Sequence, residues 1–527
     1  MTADILDVLI VGAGPTGTAL AVDLARRGLN IRIVDKAAAS FEGSRAKGVQ
    51  PRTLEVLQDL GALDDVLNGG GEYPLLGVHL GPLVAPWRMI PRKRPTAGVP
   101  FPNTWLIPQF RTDAALHARL NALGRKVEFG KTLTGLNQDA QSVVAKLSGP
   151  AGVEELTARY VVGADGGSSA VRQELGVEFA GATHEEDRMI IADAATFGLS
   201  RARWHIWPGK SGQFVAACPL PGGDLFQWMV RLAPEERPDL TLAALNARIQ
   251  QRVKDRRVIL EDLRWTSVFR PNIRMVGDYR RGRVFLAGDA AHVHTPAGAQ
   301  GLNTGIQDAY NLGWKLAQVL AGADPALLDT YQAERLPIAA AVLALSTKKY
   351  DGIAKLDPAS IKRGKDERQL ALTYRDGPLA IRSAGHTKTL QAGDRAPDAD
   401  LVAASGRKVR LFDSFMGPHF TAIAYGDSAA RALEAFDWPA SGAAVKRVLV
   451  NVAKPPAGRL SFKDLGGFRR LYGLTGDALI LVRPDGYIGS IATVDMLAGM
   501  SASLRMMAPP PHKRSSTEDV VAKGVNA

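Results

Sequence analysis

The sequence predicts an α/β protein of two to four domains, in which a parallel sheet comes first, an antiparallel sheet follows and a separate α/β domain ends the chain. Three observations support this prediction. The first 36 residues have the pattern strand, glycine-rich turn, helix and strand. Residues 185 to 270 contain alternating runs typical of neighbouring antiparallel strands. After about residue 395 the chain changes character and new apolar strands follow.

The N-terminal unit is justified element by element. "DVLIV" is a short apolar run suited to a buried parallel strand. "PTGTALAVDLARRG" has helical spacing, with Leu20 and Leu24 on one face and Gly28 as the stop. "NIRIVDK" supplies the second strand, and a further helix is predicted near "PRTLEVLQDLGAL". Together these elements form a βαβ unit.

The turn of this unit carries the spacing G-x-G-x-x-G. Such a turn brings the backbone close to a pyrophosphate and points a helix N-terminus at its negative charge. Asp35, followed by Lys36, stands where an acid accepts hydrogen bonds from a ribose. We therefore predict a dinucleotide site of Rossmann type, although a bare glycine-rich turn is the alternative and the motif does not separate FAD from NAD. The turn residues are Gly12, Gly14, Pro15, Thr16 and Gly17.

Composition excludes several classes of protein. Of the 527 residues 46% are hydrophobic and 22% charged, and the single Cys218 allows no intrachain disulfide. The N-terminus lacks the build of a signal peptide, and no run of about 18 apolar residues occurs. The net charge of +12 is dispersed and no RNA-reading motif accompanies it. We expect a cytoplasmic protein that binds neither nucleic acid nor membrane and attracts anionic small molecules.

Two later stretches refine the site. In "ARYVVGADGGSSAVRQELGV" (158–177) a strand delivers Asp165, and Ser168 or Ser169 caps a short helix that carries Arg172. An Asp-Gly turn without a ligand is the alternative for this stretch. In "GDAAHVHTPAGAQGLN" (288–303) a strand leads into Asp289, two histidines and a Pro/Gly loop before a long helix.

Taken together, "GAGPTG", "GADGGSSAVR" and "GDAAHVHTPAGAQGLNTGIQDAYNLGWKLA" resemble the three motifs of the single-component FAD-dependent aromatic hydroxylases, the group A flavoprotein monooxygenases. The resemblance covers about the first 390 residues. The remainder resembles the thioredoxin-like C-terminal domain of the phenol hydroxylase and polyketide or rifampicin hydroxylase branch. With no cysteine in that domain, packing or dimerisation is expected there instead of dithiol chemistry.

The resemblance implies a Rossmann-type, glutathione-reductase-like FAD-binding domain, an interleaved antiparallel β-sheet substrate domain and the thioredoxin-like domain. The FAD-binding domain is expected at residues 1–72, 106–184 and 273–392. The substrate domain is expected at 73–105 and 185–272, the thioredoxin-like domain at 393–505, and a flexible tail at 506–527.

It also implies cofactor contacts. Asp289, after Gly288, would hold a ribityl hydroxyl of FAD, Arg45 would lie beside the ribose and pyrophosphate, and Gln109 would contact the ribityl chain. A surface ion pair is the alternative for Arg45. Asp165 belongs to the motif linked with FAD and NAD(P)H, acting through the position of its helix. The acid near Gln109 is an Asp here, so no role is carried to Asp113.

The loop before the long helix suits a flat ring. Gly298 and Gly301 allow close backbone approach, and Pro296 offers a rigid apolar surface. The helix that begins at Leu302 and Asn303 would direct its positive end at the anionic edge of reduced flavin. His292 and His294 form an H-x-H pair, but two ligands without a nearby acid or cysteine make a poor metal site, so no metal is expected.

The substrate is sought in the middle sheet. Trp204, Gln213, Phe226 and Trp228 lie on adjacent candidate strands, and Trp105 and Pro296 are further candidates. Burial in the core is the alternative for Trp and Phe in a sheet. His205 is the candidate base for ionising a phenol.

The resemblance implies that NAD(P)H reduces FAD, that O₂ forms a flavin C4a-hydroperoxide, and that its distal oxygen passes to an aromatic ring. A Baeyer–Villiger-type oxygenase or an FAD-dependent reductase of the same fold is the alternative, and a flavin-binding scaffold protein is a further one. We expect an aromatic small-molecule substrate, non-covalent FAD, and a monomer or homodimer.

Overall fold

The structure is a computed structural model and describes residues 5–295, 299–354, 364, 366–381 and 389–509. Two predicted site residues, Pro296 and Gly298, lie outside the described residues, as do residues 510–527 of the predicted tail. Within the described ranges, no helix is long and apolar enough to cross a membrane.

The elements follow one another in chain order. The first 106 residues contain β1 (Leu6–Val11), α1 (Pro15–Arg26), β2 (Ile31–Asp35), β3 (Gly48–Val49), α2 (Pro51–Leu60), α3 (Leu63–Asn68), β4 (Gly71–Glu72), β5 (Leu75–Leu80), β6 (Leu83–Trp87) and β7 (Trp105–Leu106). The next segment contains α4 (Gln109–Ala122), β8 (Val127–Phe129), β9 (Thr132–Gln138), β10 (Val143–Gly149), β11 (Gly152–Gly163), α5 (Ala170–Glu174) and β12 (Ala180–Thr183).

The middle of the chain contains β13 (Met189–Phe197), β14 (Arg203–Pro208), β15 (Phe214–Pro219), β16 (Leu225–Arg231), α6 (Leu242–Val253), β17 (Ile259–Phe269), β18 (Asn272–Met275), β19 (Arg280–Arg281), β20 (Val284–Leu286) and β21 (His292–Val293). The remainder contains α7 (Gly301–Leu320), α8 (Asp329–Ala354), β22 (Asp400–Ala403), β23 (Lys408–Arg410), α9 (Phe412–Phe415), β24 (Phe420–Tyr425), α10 (Asp427–Glu434), β25 (Val445–Val450), β26 (Leu460–Lys463), α11 (Gly467–Tyr472), β27 (Ala478–Val482), β28 (Ile488–Ala492) and α12 (Met496–Met507).

The predicted βαβ unit forms the centre of the first sheet. β1 pairs in parallel with β2 and β11, β2 pairs with β8, and β11 pairs with β20. The apolar run of β1 and the inward face of α1 are buried in one core. Because Val11 lies beside Val34 and Gly163, the carboxyl ends of three strands meet at one edge of the sheet. Ligands of α/β folds bind at this edge.

Tight packing of α7 on α1 brings a second helix N-terminus to the same edge. A Cβ at Gly305 would lie 2.2 Å from the Thr16 hydroxyl oxygen, and one at Gly313 would lie 2.3 Å from an oxygen of Asp23. Larger residues at either position would push the two helices apart. The two glycines therefore set where α7 begins relative to the turn at the end of β1.

The middle sheet has the order β17-β13-β16-β15-β14-β5-β6. The three strands predicted in this region pair as antiparallel neighbours, β14 with β15 and β15 with β16. Helix α6 covers one face through Leu245 and Ile249, which pack in a core with Phe226 and Trp228. The sheet therefore has one face committed to its own core and another turned toward the first sheet.

The C-terminal region has its own sheet, in the order β23-β22-β26-β25-β24-β27-β28. Separate apolar cores lie against it, and one of them includes Trp314 of α7, so the region packs directly on the long helix. The mixed α/β class and the interleaved sheets agree with the sequence prediction. The thioredoxin-like assignment and the domain boundaries stay predictions.

Candidate cofactor and substrate cavity

A cavity of about 870 Å³ lies between the carboxyl edge of the parallel sheet and the middle sheet. The glycine-rich turn and Asp35 line part of it, and Trp204, Gln227 and Met229 line another part. The first residues of α7 line it as well. The cavity thus joins the predicted dinucleotide site to the sheet in which the substrate was sought.

The glycine-rich turn is shaped by close backbone contacts. Gly12 has φ +103°, and a Cβ there would lie 2.3 Å from the carbonyl oxygen of Ala164. A Cβ at Gly17 would lie 1.9 Å from the Gly12 carbonyl oxygen. At Gly14, by contrast, a Cβ would meet nothing within 4 Å, and this residue lines the cavity. The turn is therefore closed toward the protein and open toward the cavity, as a phosphate cradle requires.

Asp35 is held by backbone amides. One carboxylate oxygen accepts a hydrogen bond from the Ala13 N–H at 2.7 Å and the other from the Ala37 N–H at 2.8 Å. Asp35, Lys36 and Arg45 all line the cavity. The side chain of Arg45 lies over the ring of Phe41 and forms no ion pair with any residue in the described ranges. The alternative of a surface ion pair for Arg45 thus receives no support.

Gln109 lies at the start of α4, where its side chain links two segments. Its Oε1 accepts a hydrogen bond from the Ala46 N–H at 3.4 Å, and its Nε2 donates to Asp113 at 3.4 Å. Burial raises the pKa of Asp113 to about 8, opposed by the Gln109 hydrogen bond and assisted by the charge of Asp35. Asp113 lines the cavity, and its raised pKa favours the protonated form, which can donate a hydrogen bond.

Asp165 supports the fold of its own loop. It accepts hydrogen bonds from the Ser169 hydroxyl at 2.5 Å and the Ala170 N–H at 2.7 Å, which starts α5. From that helix, Arg172 donates to the carbonyl oxygen of Ala290 at 3.0 Å. Asp165 thus positions α5, and Arg172 of α5 holds the loop that carries Asp289. This arrangement fits an indirect role for Asp165 in cofactor binding.

The loop at 288–303 reaches the cavity in three places. Gly288 has φ +59°, and a Cβ there would lie 2.5 Å from the Thr16 hydroxyl oxygen. Asp289 lines the cavity, and its carboxylate accepts no hydrogen bond from the described part of the chain. Asn303 accepts a hydrogen bond from the Gln50 N–H at 2.7 Å and donates to the carbonyl oxygen of Gly48 at 2.8 Å. These bonds attach the start of α7 to β3.

The two histidines of this loop have different surroundings. His292 is fully buried, and its Nε2 lies 2.8 Å from Asp308. Arg335 donates to the other oxygen of Asp308 at 2.7 Å, so this trio is a structural ion cluster. The described residues contain no group of three His, Cys, Asp or Glu side chains arranged to hold a metal. His294 donates through Nδ1 to the carbonyl oxygen of Thr295 at 3.0 Å, whereas its buried Nε2 has no hydrogen-bond partner in the described part of the chain and the residue lines the cavity.

These features fit a flavin dinucleotide. The turn leaves open space at Gly14, no side chain caps the N-terminus of α1 or α7, and Asp289 and the His294 Nε2 face the cavity without partners. Uncapped helix N-termini favour negative groups such as a pyrophosphate or an anionic ring edge. Gly301 lies beside His294 and lines the cavity as well.

The predicted substrate residues divide into two groups. Trp204 lines the cavity, whereas Gln213, Phe226, Trp228 and Trp105 do not. Phe226 and Trp228 point into the core beneath α6. Their geometry therefore agrees with the alternative interpretation, in which they are core residues. Because side chains alternate along a strand, their neighbours on β16 face the cavity instead.

His205 faces away from the cavity. Its Nδ1 lies 2.8 Å from the Nε2 of His79, its Nε2 lies 2.7 Å from the carbonyl oxygen of Ser200, and its ring stacks with Trp207. Burial lowers the pKa of His205, with the Ser200 hydrogen bond opposing and Arg203 adding to the shift. Strand alternation puts His205 opposite Trp204. A role as the base therefore receives no support from this geometry.

Sequence reasoning missed several residues that line the cavity. They come from loops and from strands of the middle sheet, and they are Lys47, Tyr73, Gln227, Met229 and Trp265. The alternation of "LFQWMVRL" already separated Gln227 and Met229 from the aromatic set. It did not show which face α6 covers.

A family model described as FAD binding domain matches residues 5–346. The chain belongs to this FAD-binding family. A flavin-dependent monooxygenase from Mycobacteroides abscessus is 41% identical over 491 residues, which cover 92% of this chain and 96% of that protein. A 12-dehydrotetracycline 5-monooxygenase/anhydrotetracycline 6-monooxygenase from Streptomyces rimosus subsp. rimosus is 34% identical and covers 96% of this chain and 99% of its own.

Among solved structures, the ternary complex of aklavinone-11 hydroxylase with FAD and aklavinone has a TM-score of 0.80 and 26% identity to this chain. The match covers 96% of this chain and 99% of the hydroxylase. The protein is thus an FAD-dependent monooxygenase of the aromatic hydroxylase type, and the predictions of family, fold class and cofactor are confirmed.

Proposed function

We propose that this monooxygenase hydroxylates a polycyclic phenol, using non-covalent FAD, NAD(P)H and O₂. The observation that carries the proposal is the continuous cavity, which runs from a phosphate-type turn to an aromatic and apolar chamber. Relatives that act on anhydrotetracycline and aklavinone, both polycyclic, support the substrate class. The cytoplasmic location and the monomer or homodimer expected from the sequence belong to the same proposal.

The cofactor contacts are proposed residue by residue. The glycine-rich turn and Lys36 would receive the phosphates, Asp35 and Arg45 the ribose end, and Gln109 and Asp289 the ribityl chain. Gly288 and Asp165 would act by shaping the backbone around these groups. The remaining proposed contacts are Gly12, Gly14, Pro15, Thr16, Gly17, Gly301, Leu302 and Asn303.

When bound, the reduced flavin would activate O₂, so that one of its oxygen atoms is added to a ring carbon of the substrate and the other leaves as water. The chain contributes electrostatics and exclusion of water. The free N–H groups at the start of α7 stabilise negative charge beside them, by roughly 0.3–2 kcal/mol for the helix dipole alone. Apolar side chains of the chamber, such as Ile191, Phe214 and Met229, keep water away from the reacting atoms. Trp204 offers a flat face for an aromatic substrate.

The proposal is tested on purified protein. We expect yellow protein whose NAD(P)H oxidation and O₂ uptake rise when polycyclic phenols such as alizarin or anhydrotetracycline are added. Mass spectrometry should find a product heavier by one oxygen with its rings intact. A product that gains only hydrogen would indicate a reductase, and insertion of oxygen into a ring would indicate Baeyer–Villiger chemistry. Colourless protein that takes up no FAD would refute the proposal altogether.

A further inference from the structure

A lysine side chain enters the substrate part of the cavity. Lys47 precedes β3, and its main chain is fixed there because its carbonyl oxygen accepts hydrogen bonds from the Ile107 N–H at 3.1 Å and the Tyr73 hydroxyl at 3.2 Å. Its ammonium group donates to Oε1 of Gln227 and lies 4.5 Å from the centroid of the Trp204 ring. Lys47, Gln227 and Trp204 all line the cavity.

The amide that holds this ammonium is itself held by a buried relay. Gln227 donates to the carbonyl and hydroxyl oxygens of Ser44 at 2.9 and 2.6 Å. The Ser44 hydroxyl and N–H donate to Asp193 at 2.5 and 2.6 Å. Asp193 and Gln227 are direct partners across β13 and β16. This relay fixes the Gln227 amide with its oxygen toward Lys47. The position of the Lys47 ammonium is therefore set by Asp193 of β13, Gln227 of β16 and the segment that carries Ser44.

The charge of Lys47 is left without a direct acidic partner. No carboxylate in the described ranges forms an ion pair with it, and Asp193 accepts its short hydrogen bonds from Ser44. Burial lowers the pKa of Lys47, while electrostatic interactions with Cys218 and Asp193 oppose the shift. A buried cation is costly unless an anion accompanies it. The open side of the ammonium faces the cavity, where a ligand can supply that anion.

We propose that Lys47 binds an ionised oxygen of the aromatic substrate, so that the enzyme selects phenols bound as phenolates. The inference rests on the proposed function and specifies the substrate class further. The ammonium stabilises the negative oxygen, and the adjacent Trp204 face accommodates the ring that bears it. A phenolate ring is richer in electrons than the neutral phenol, which favours attack on an electrophilic oxygen. The cation therefore selects the substrate and keeps it in the reactive ionisation state.

The test uses the holoenzyme with alizarin, whose colour changes from yellow to red when its 2-hydroxyl ionises, and with its 2-methyl ether, which cannot ionise there. Difference spectra give both the affinity and the ionisation state of bound dye. We expect the wild type to bind alizarin as the red anion, at least tenfold tighter than the ether. Lys47→Met should abolish this preference and bind alizarin in the yellow form, and Lys47→Arg should restore the red form.

Matched variants separate charge from packing. Lys146→Met changes an exposed lysine of β10 and should leave both spectra unchanged. Gln227→Met should weaken the preference without removing it, because the ammonium stays but loses its orientation. A Lys47→Met enzyme that still binds the red anion with the wild-type preference would overturn the inference.

The outcomes also distinguish this inference from the function beneath it. If the wild type binds alizarin and its ether equally well, and hydroxylates neutral phenols, the inference fails while the proposed function stands. If neither dye binds and no polycyclic phenol stimulates NAD(P)H oxidation, both fail.

Discussion

Two lysines of this molecule, one fully buried and one half-buried, are placed in opposite circumstances. Lys315 of α7 is fully buried at the contact with the C-terminal region, where its ammonium donates to Glu334 and to Asn311, each at 2.8 Å. Lys47 lies in the cavity with an amide and an aromatic face but no carboxylate. The first charge is completed by the protein, and the second is left for a ligand.

The surroundings of Lys315 show what a completed cluster looks like. Arg483 donates to both oxygens of Glu334, at 2.6 and 2.9 Å, and to Asp485 at 3.0 Å, while Trp314 donates to Asp485 at 3.1 Å. Burial alone would raise the pKa of Glu334, but Arg483 and Lys315 outweigh it and lower the pKa to about 2. The cluster joins α7 and α8 to the C-terminal sheet.

The cavity is organised in the opposite way. Asp289 and Lys47 carry charge without an ion-pair partner in the described part of the chain, and the His294 Nε2 has no hydrogen bond there. Unsatisfied polar groups that line a cavity can be satisfied by a ligand, so Asp289, Lys47 and His294 fit a binding site. In this comparison the completed cluster around Lys315 serves structure, and the open charges of the cavity are available for binding.

The largest expected effect comes from breaking the completed cluster. Glu334→Gln removes the only carboxylate shared by Lys315 and Arg483 among the described residues and leaves both cations buried. We expect the free energy of unfolding in urea to fall by about 3–5 kcal/mol. Glu434→Gln, which removes an exposed partner of Arg459, should cost at most about 1 kcal/mol. Equal effects of the two variants would contradict the comparison.

Replacing a charged residue that lines the cavity should weaken the binding of FAD and leave the stability of the protein unchanged. Asp289→Ala removes an acceptor that faces the cavity without a protein partner, so the stability of the apoprotein should be unchanged. The dissociation constant for FAD should rise about 10- to 100-fold, as expected for loss of a charged hydrogen bond. Fluorescence titration of apoprotein measures it, and Asp400→Ala, at an exposed position on β22, is the control. Unaltered FAD affinity in Asp289→Ala would refute the assigned contact.

The two lysines can be compared directly by the same substitution. Lys315→Met should cost about 2 kcal/mol, less than breaking the whole cluster, because Arg483 still neutralises Glu334. Burial lowers the pKa of Lys315 to about 8 although Glu334 opposes the shift, which agrees with its place as the weakest member. Lys47→Met should change stability by less than about 1 kcal/mol, since no buried carboxylate loses its partner. Urea unfolding at pH 7 measures both, and a larger loss for Lys47→Met would reverse the argument.

The sequence predicted the cofactor end of the cavity better than the substrate end for a physical reason. The glycine spacing is a local signal, since Gly17 packs against the backbone of Gly12, although Gly12 itself packs on Ala164, which follows the neighbouring strand β11. Phe226 points into a core instead of the cavity because α6 covers that face of the sheet. The position of the Lys47 side chain depends on Gln227, which lies 180 residues further along the chain. Strand neighbours follow from local patterns, but which face a distant element covers does not.

The fold followed the same division. The βαβ unit and the antiparallel neighbours β14, β15 and β16 were predicted from periodicity and turn residues. The docking of the C-terminal region on α7 was not, because it rests on Trp314 and on ion pairs between residues far apart in sequence. A buried lysine or arginine in a long helix is the one signal that could have suggested such a cluster.

The last comparison concerns Asp113, a buried titratable group that forms no ion pair with any described residue and so sharpens the contrast with Lys315. Burial raises the pKa of Asp113 to about 8, so the folded protein keeps a proton on this group that the unfolded chain releases near its usual pKa of 3.8. The group therefore costs stability progressively as pH rises from about 4 to 8, and the cost is constant above that. Asp113→Asn cannot ionise, so its free energy of unfolding should exceed that of the wild type by a margin that grows as pH rises through this range. Urea unfolding of the apoproteins between pH 5.5 and 9 measures the difference, with Asp139→Asn as an exposed control. A gap that narrows as pH rises would show that Asp113 is ionised and paired in the folded state, which would make it a member of the completed class of charges that Lys315 represents.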